Sequence, residues 1–401
     1  MVSDSIPTDL ILDILLRLPA KSIARFHCVS KLWETMLPSS YFTDLFMTRS
    51  LPQPRLFFAI GKPGLLSIFS LPQQHQSPYE KSSSVTAEFH MKFPQENMQK
   101  FSGDLHYSCG YAAGLLYFYG MWTKVPMVLN PKTGRYVALT YPSKYLALPR
   151  LSSYRRTYSF IGFDPTDKIY KVLFMPYPFC YDQHTVLTLG TGEMSWRRIN
   201  CALRHETMSE GICINGVLYY LGNTSQESVY YVIVCFDVRS EKFKYIDTES
   251  YCQLINYMGK LGLVYYNAYA HDAVELRVWV LEDAEKQQWS KYAYTLSDDK
   301  FLVHHVFVVA VTATGEIVLC SDFYTSKKPF YVFYFNPEKN TLQRVEIQVF
   351  GEYHEAIDNP SRVHDDVFVN DRSRLYAFAD HVKDLNVNDS KLLKSKRYEA
   401  V

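Results

Sequence analysis

The residues best placed to do chemistry are two pairings of histidine with acid, His364-Asp365-Asp366 and His354-Glu355. Imidazole nitrogens and carboxylate oxygens are common metal ligands, but immediate neighbours on a flexible loop cannot all aim at one ion. His304-His305 sits in an apolar strand pattern, where successive side chains take opposite faces. One of them is then buried and hydrogen-bonded, and the other meets solvent. Asp298-Asp299 reads as a pair of loop carboxylates, and Gly190-Thr191-Gly192 as a hairpin turn. The sequence contains no G-x-S-x-G, H-E-x-x-H, phosphate loop or G-x-G-x-x-G. Hydrolase, zincin and nucleotide readings therefore lack their usual scaffolds. The eight cysteines (Cys28, Cys109, Cys180, Cys201, Cys213, Cys235, Cys252, Cys320) include no C-x-x-C pair, which argues against a zinc knuckle and a disulfide framework. The expectation is a chain with no catalytic residue, no metal and no cofactor.

A length of 401 residues is too great for one ordinary core, so either two domains or a small domain plus a repeat must position whatever function exists. Lys and Arg total 42 against 41 Asp and Glu, a net charge of +1 that leaves no broad basic field for nucleic acid. Lys391, Lys394, Lys396 and Arg397 read as a solvated tail. Cysteines inside apolar runs, such as Ile212-Cys213-Ile214 and Val234-Cys235-Phe236, act as small hydrophobes and point to a reducing compartment. The N-terminus lacks a basic segment followed by an apolar run, and the apolar stretch at 301–311 is far shorter than the ~20 residues of a membrane helix. A soluble cytoplasmic or nuclear protein without a membrane partner is expected.

Aromatics are abundant, with 32 Tyr and 25 Phe, yet nearly absent before Tyr41. In that early segment Leu10, Ile11, Ile14, Leu15 and Leu18 follow helical spacing, opened by Pro7 and Asp9 and ended by Pro19. A second short helix fits 20–26. A third fits Ser30 as N-cap followed by Leu32, Trp33, Met36 and Leu37. Three short helices cannot enclose all these apolar side chains, so some must meet a partner or cap the following domain.

The run Ile6-Pro7-x-Asp9-Leu10, Ile14-Leu15-x-Arg17-Leu18-Pro19-x-Lys21-Ser22, Arg25-Phe26-x-Cys28-Val29-Ser30-Lys31-x-Trp33 resembles an F-box of the plant type that precedes an F-box-associated domain. Asp13 and Ile23 stand where Glu and Leu are usual. The resemblance implies a three-helix domain at 1–46 that docks onto a Skp-family adaptor and, through it, cullin and RING subunits. By position, Ile6, Pro7, Leu10, Ile14, Leu18, Pro19, Val29 and Trp33 would contact or support that adaptor.

From Leu56 onward, β-branched and aromatic runs alternate with Gly, Asn, Asp and Pro, which is strand and turn chemistry. One kind of hairpin is typified by Ile212-Cys213-Ile214-Asn215-Gly216-Val217-Leu218, whose Asn-Gly suits a type I′ turn. A second kind ends in a longer polar turn, as around Asn130, Gly190, Asp237, Glu282 and Asn336. The spacing of roughly 45 to 60 residues is that of propeller blades, one hairpin of each kind per blade. Five blades are visible. A sixth needs the early strands 56–60 and 65–69 to complete a hairpin expected at 368–378, because an open array would leave sheet edges exposed. The rival is an open β-sandwich array. Trp196, Trp289, Phe243 and Tyr136 hold equivalent repeat positions, which marks them as packing residues rather than a ligand platform.

Asn130-Pro131-x-Thr133-Gly134-Arg135, Phe163-Asp164-Pro165 and Phe335-Asn336-Pro337 extend the resemblance to the F-box-associated domain across 47–401. What it implies is an all-β, kelch-like propeller of about six blades, although the kelch double glycine and the WD dipeptide are missing. The implied function is that of a non-catalytic substrate receptor of a ubiquitin ligase. An interaction scaffold without ubiquitin transfer is the second reading, and a propeller enzyme or lectin the third. Target contacts are expected in the least repeat-like stretches: 143–157 with Tyr145, Tyr154, Arg155 and Arg156; 176–184 with Tyr177, Phe179 and Tyr181; and 351–366 with Tyr353 and His354.

Overall fold

The computed structural model describes residues 8–16, 26, 29–37, 39, 41–42, 55–62, 65–72, 83–93, 107–120, 126–131, 134–140, 158–175, 184–190, 194–225, 228–267, 274–296, 306–312, 314–321, 323–324, 329–348, 373–379 and 393. The first segment supplies helices α1 (Thr8–Leu15) and α2 (Lys31–Met36). Helix α2 starts where the sequence places it. Ser30 is extended at φ −155° and ψ 157°, and its hydroxyl accepts a hydrogen bond from the Trp33 N–H, satisfying a donor that the first turn leaves orphaned. Leu15, Leu16, Leu37 and Phe42 form a small core, with Ile11, Leu12, Phe26, Trp33 and Met36 packed against it. Phe26 is helical, but the rest of the expected second helix lies outside the described residues.

The remaining strands form six sheets, each a propeller blade. Blade 1 holds β1 (Arg55–Lys62), β2 (Leu65–Pro72) and β4 (Glu88–Phe93), while β3 (Ser83–Thr86) leaves it for a neighbour. Blade 2 runs β5 (Tyr107–Ala112), β6 (Leu115–Gly120), β7 (Met127–Leu129), β8 (Tyr136–Ala138). Blade 3 runs β9 (Tyr158–Asp164), β10 (Ile169–Met175), β11 (Thr185–Thr188), β12 (Trp196–Arg198). In blade 4, β13 (Glu206–Thr207) and β14 (Ile212–Ile214) share one edge of β15 (Val217–Asn223), followed by β16 (Tyr231–Asp237) and β17 (Phe243–Asp247). Blade 5 runs β18 (Gln253–Tyr257), β19 (Lys260–Asn267), β20 (Val274–Asp283), β21 (Gln288–Leu296). Blade 6 runs β22 (Val306–Val311), β23 (Ile317–Ser321), β25 (Phe330–Asn336), β26 (Thr341–Gln348), with the short β24 (Phe323–Tyr324) and the last strand β27 (Ser373–Ala379) reaching blade 1.

Six hydrophobic clusters each fill the seam between two consecutive blades. Alternate residues of one strand serve opposite seams: Phe58 packs towards blade 6 and Ala59 towards blade 2. Burial on both faces explains why so many strands read as unbroken apolar runs, such as the Val232 to Phe236 segment. Trp196, Trp289, Phe243 and Tyr136 each lie on an outermost strand and pack into a seam, as their repeat positions suggest.

Two crossings close the ring. Strand β27 pairs antiparallel with β1 from Leu56↔Ala379 to Gly61↔Arg374, so the innermost strand of blade 1 comes from the far end of the sequence. Strand β3 pairs parallel with β26, from Val345↔Ser83 to Gln348↔Thr86, and gives blade 6 a fifth, outer strand. The open-array alternative falls with these pairings. The first arm of the hairpin expected at 368–378 lies outside the described residues; the second is β27, whose Arg374 pairs with Gly61 on one side and with Phe323 of β24 on the other. The stretch 73–84, rich in Gln, Ser and Pro, reads from the sequence as a surface loop; residues 73–82 lie outside the described residues, but Ser83 and Ser84 belong to β3.

Within the four-stranded core of each blade, neighbouring strands run antiparallel, so the connections alternate between two faces. One face carries tight turns. Every left-handed backbone position among the described residues lies there, from Ala113 (φ 41°) to Asn340 (φ 49°). Asn215-Gly216 forms the expected two-residue turn, with both residues at positive φ, 47° and 85°. These turns touch across blades: the Asn215 amide donates to the Gly259 carbonyl at 2.8 Å, and the Lys171 ammonium to the Val238 carbonyl at 2.6 Å. In blades 2 to 6 the longer connections leave from the opposite face.

Candidate docking surfaces

The small helical domain carries a one-sided apolar excess. Leu15 and Leu16 are buried, whereas Leu10 and Ile14, one helical turn apart on α1, are 56% and 55% exposed. Val29, just before α2, is 60% exposed, and Tyr41 is 66% exposed. Trp33 packs edge-on against Phe26 with ring centroids 5.2 Å apart, partly buried against the small core. Ile6, Pro7, Leu18 and Pro19 lie outside the described residues.

In the propeller, the innermost strands β5, β14, β18, β22 and β27 line a central channel with a cavity of about 450 Å³. Its wall is partly polar. The Tyr266 hydroxyl donates to the Gln253 side-chain oxygen and accepts from the Val308 N–H at 2.7 Å, tying blade 5 to blade 6 at the channel rim. Burial pushes the Tyr266 phenol well above its ordinary range, so it works as a neutral hydrogen-bonding group. Cys213, Cys235 and Cys252 are pushed up to about 11, 12 and 11 by burial, which keeps them as inert thiols.

Tyr145, Tyr154, Arg155, Arg156, Tyr177, Phe179, Tyr181, Tyr353 and His354 all lie outside the described residues. The described ends of the strands on either side of those stretches, β8 and β9, β10 and β11, β26 and β27, lie at the long-connection face. Sequence reasoning missed two exposed groups on that face: Val229 and Tyr230 at 62% and 53%, and Tyr251 at 55%. Asn223 holds the first of these connections in shape, its side-chain oxygen accepting from the N–H of Tyr230 at 2.9 Å and of Ser225 at 3.3 Å. The available signal was an apolar pair directly after the polar run 224–228, which a solvated turn does not need.

The first strand of the propeller starts, and the last one ends, on the other face. Strand β24, within the 322–329 connection of the long-connection face, pairs with the start of β27. The end of β27 and the start of β1, paired at Leu56↔Ala379, therefore sit at the tight-turn face. Strand β1, which follows the helical segment in the chain, thus begins on the side opposite the long connections.

The chain thus combines a small helical segment that exposes an apolar pair with a six-bladed β-propeller. Two family models match the chain: the F-box domain over residues 3–45 and the F-box associated beta propeller domain over residues 55–382. Among its relatives in Arabidopsis thaliana, F-box protein At1g47340 is 58% identical, covering 100% of this chain and 87% of the relative. F-box protein At2g15640 is 49% identical, covering 98% and 97%. F-box protein At2g16450 is 47% identical, covering 97% and 96%. The chain belongs to the family of F-box proteins that carry an F-box-associated β-propeller domain.

Proposed function

We propose that this chain is the substrate-receptor subunit of a Skp-cullin-F-box ubiquitin ligase, without a catalytic centre of its own. The observation that carries the reading is the exposed Leu10 and Ile14 stripe on a helix whose opposite face is already buried. In this reading the stripe, with Val29 and the neighbouring Ile6, Pro7, Leu18 and Pro19, docks onto a Skp-family adaptor that brings cullin and RING subunits. The long-connection face then holds a target protein, on the side opposite the start of β1. Its contribution to ubiquitin transfer is proximity: holding a target lysine near the charged conjugating enzyme raises effective concentration with no bond chemistry in this chain. Such work places it in the cytoplasm or nucleus.

The test is adaptor binding by the Leu10→Ala, Ile14→Ala double variant of the full chain. Fully burying a leucine or isoleucine side chain contributes about 1.5–3 kcal/mol, and roughly half of each remains to be buried on docking. Losing both should weaken the adaptor about 10- to 100-fold. The melting curve should stay close to that of the parent. Unchanged adaptor affinity would refute the docking role. Co-purification of adaptor without cullin would favour an interaction scaffold that acts without ubiquitin transfer.

A further inference from the structure

Three soft donors, distant in sequence, meet in the seam between blades 3 and 4. His184 directly precedes β11, while Cys201 and His205 lie on the connection from β12 to β13. One ligand atom from each falls within 4.8 Å of the others, and the residues are 2%, 1% and 4% exposed. Phe243 packs edge-on against His184 and the Tyr220 ring lies against His205, in a seam filled by apolar side chains. His205 is already oriented: its Nδ1 faces the Leu203 carbonyl at 3.1 Å and its Nε2 the Tyr220 hydroxyl at 2.9 Å. With the proton on Nδ1 and donated to the carbonyl, Nε2 accepts the Tyr220 hydroxyl proton, and a bound ion would take that lone pair in the proton's place. A backbone carbonyl plays this orienting part for imidazoles in metal centres. The Tyr245 hydroxyl lies 3.2 Å from the Cys201 sulfur.

We propose that His184, Cys201 and His205 form a buried site for one thiophilic metal ion, and that the ion is cuprous copper. The donor set excludes magnesium and calcium, which take oxygen ligands, and suits copper(I) or zinc. Charge decides between those two. On binding, the Cys201 thiol releases its proton to solvent as the metal–sulfur bond forms, so the three donors together carry one negative charge. A cuprous ion makes that assembly neutral and three-coordinate, as an apolar seam requires. Zinc would leave a buried positive charge and would need a fourth ligand, for which the Tyr245 or Tyr220 oxygen is nearest. The ion would pin His184, at the start of β11, to the connection between blades 3 and 4, both at the long-connection face. Because the donors are enclosed, uptake accompanies closure of the seam during folding.

The experiment refolds the full-length chain anaerobically with buffered copper(I) or with zinc(II), desalts it, and measures bound metal per chain. The expected result is one copper retained, a raised melting temperature and an X-ray absorption spectrum with one sulfur and two imidazole nitrogens around the metal. Cys201→Ser should abolish retention and Tyr245→Phe should not. Retention of zinc but not copper, lowered in Tyr245→Phe, overturns the choice of ion. If neither metal is retained, or the absorption spectrum of the unmutated chain lacks a metal–sulfur shell, the site itself is refuted. That last measurement decides even where Cys201→Ser fails to fold.

Discussion

Ending the chain at residue 372 should unfold the whole β-domain rather than trim its tail. Strand β27 is the inner wall of blade 1, paired with β1 from Leu56↔Ala379 to Gly61↔Arg374. Its Leu375 and Tyr376 are 2% and 8% exposed and reach the two seams on either side of blade 1. Burial contributes about 1.5–3 kcal/mol for each such side chain, and each ladder hydrogen bond about 0.5–1.5 kcal/mol net. The loss is on the order of 10 kcal/mol, comparable to the total stability of an ordinary domain. It also strips cover from Phe58 and Ile60 and leaves β1 as an unpaired inner edge. Because Leu393 is buried in the seam between blades 2 and 3, a second truncation after Ala379 is the control. That control should cost only about 2–5 kcal/mol, the worth of one core leucine. Thermal melts followed by circular dichroism, with hydrogen exchange on blades 3 to 5, are the assay. The shorter chain should show no cooperative transition, and a synthetic peptide spanning 370–382 should restore one. A truncated chain with an unaltered melting curve would sink the reasoning, since the ring would then not depend on its closing strand.

Other outcomes follow from single positions. Gly162→Ala would place a Cβ 2.6 Å from the Val238 Cγ2 of the next blade, so overpacking should cost about 1–3 kcal/mol, with partial recovery in the Gly162→Ala, Val238→Ala pair. Glu241 joins blades 3 and 4 by accepting hydrogen bonds from Lys171 and Arg197. Burial alone would raise its pKa, but the bonds from Arg197 and Lys171 outweigh that and hold it below the usual 4.5. Glu241→Gln should therefore destabilise the propeller by about 1–3 kcal/mol at neutral pH. A depressed carboxyl stabilises above its unfolded pKa and loses that contribution as pH falls through the folded value. The gap between parent and Glu241→Gln melting temperatures should therefore narrow as pH falls below the usual 4.5 and vanish only once the lower folded pKa is passed, and a constant gap would contradict the ion-pair origin. Leu15→Ala, at a site 1% exposed, should cost the helical domain about 2–5 kcal/mol, whereas Leu10→Ala should leave its melting nearly unchanged.

The sequence by itself determined what depends on neighbours along the chain. Helix α2 begins at Ser30 because a serine hydroxyl can reach the N–H three residues on, and Asn215-Gly216 turns because those two residues tolerate left-handed backbone. Period and turn spacing likewise announced the blades around Asn130, Gly190, Asp237, Glu282 and Asn336, and the need for the ring to close through its ends. Tertiary structure alone decided which distant segments meet. Nothing in Ser83 to Thr86 announces a parallel partner in Val345 to Gln348, and nothing in Phe323 and Tyr324 announces the start of β27 as theirs. The same holds for His184, Cys201 and His205, whose spacing fits no ligand motif, and for the stripe of Leu10 and Ile14, which differs from Leu15 and Leu16 only in what covers it. Backbone and turn preferences are local energies that a short segment carries with it. Strand partners, burial and the gathering of side chains depend on contacts across the whole ring, and a linear pattern constrains those only when the fold is complete.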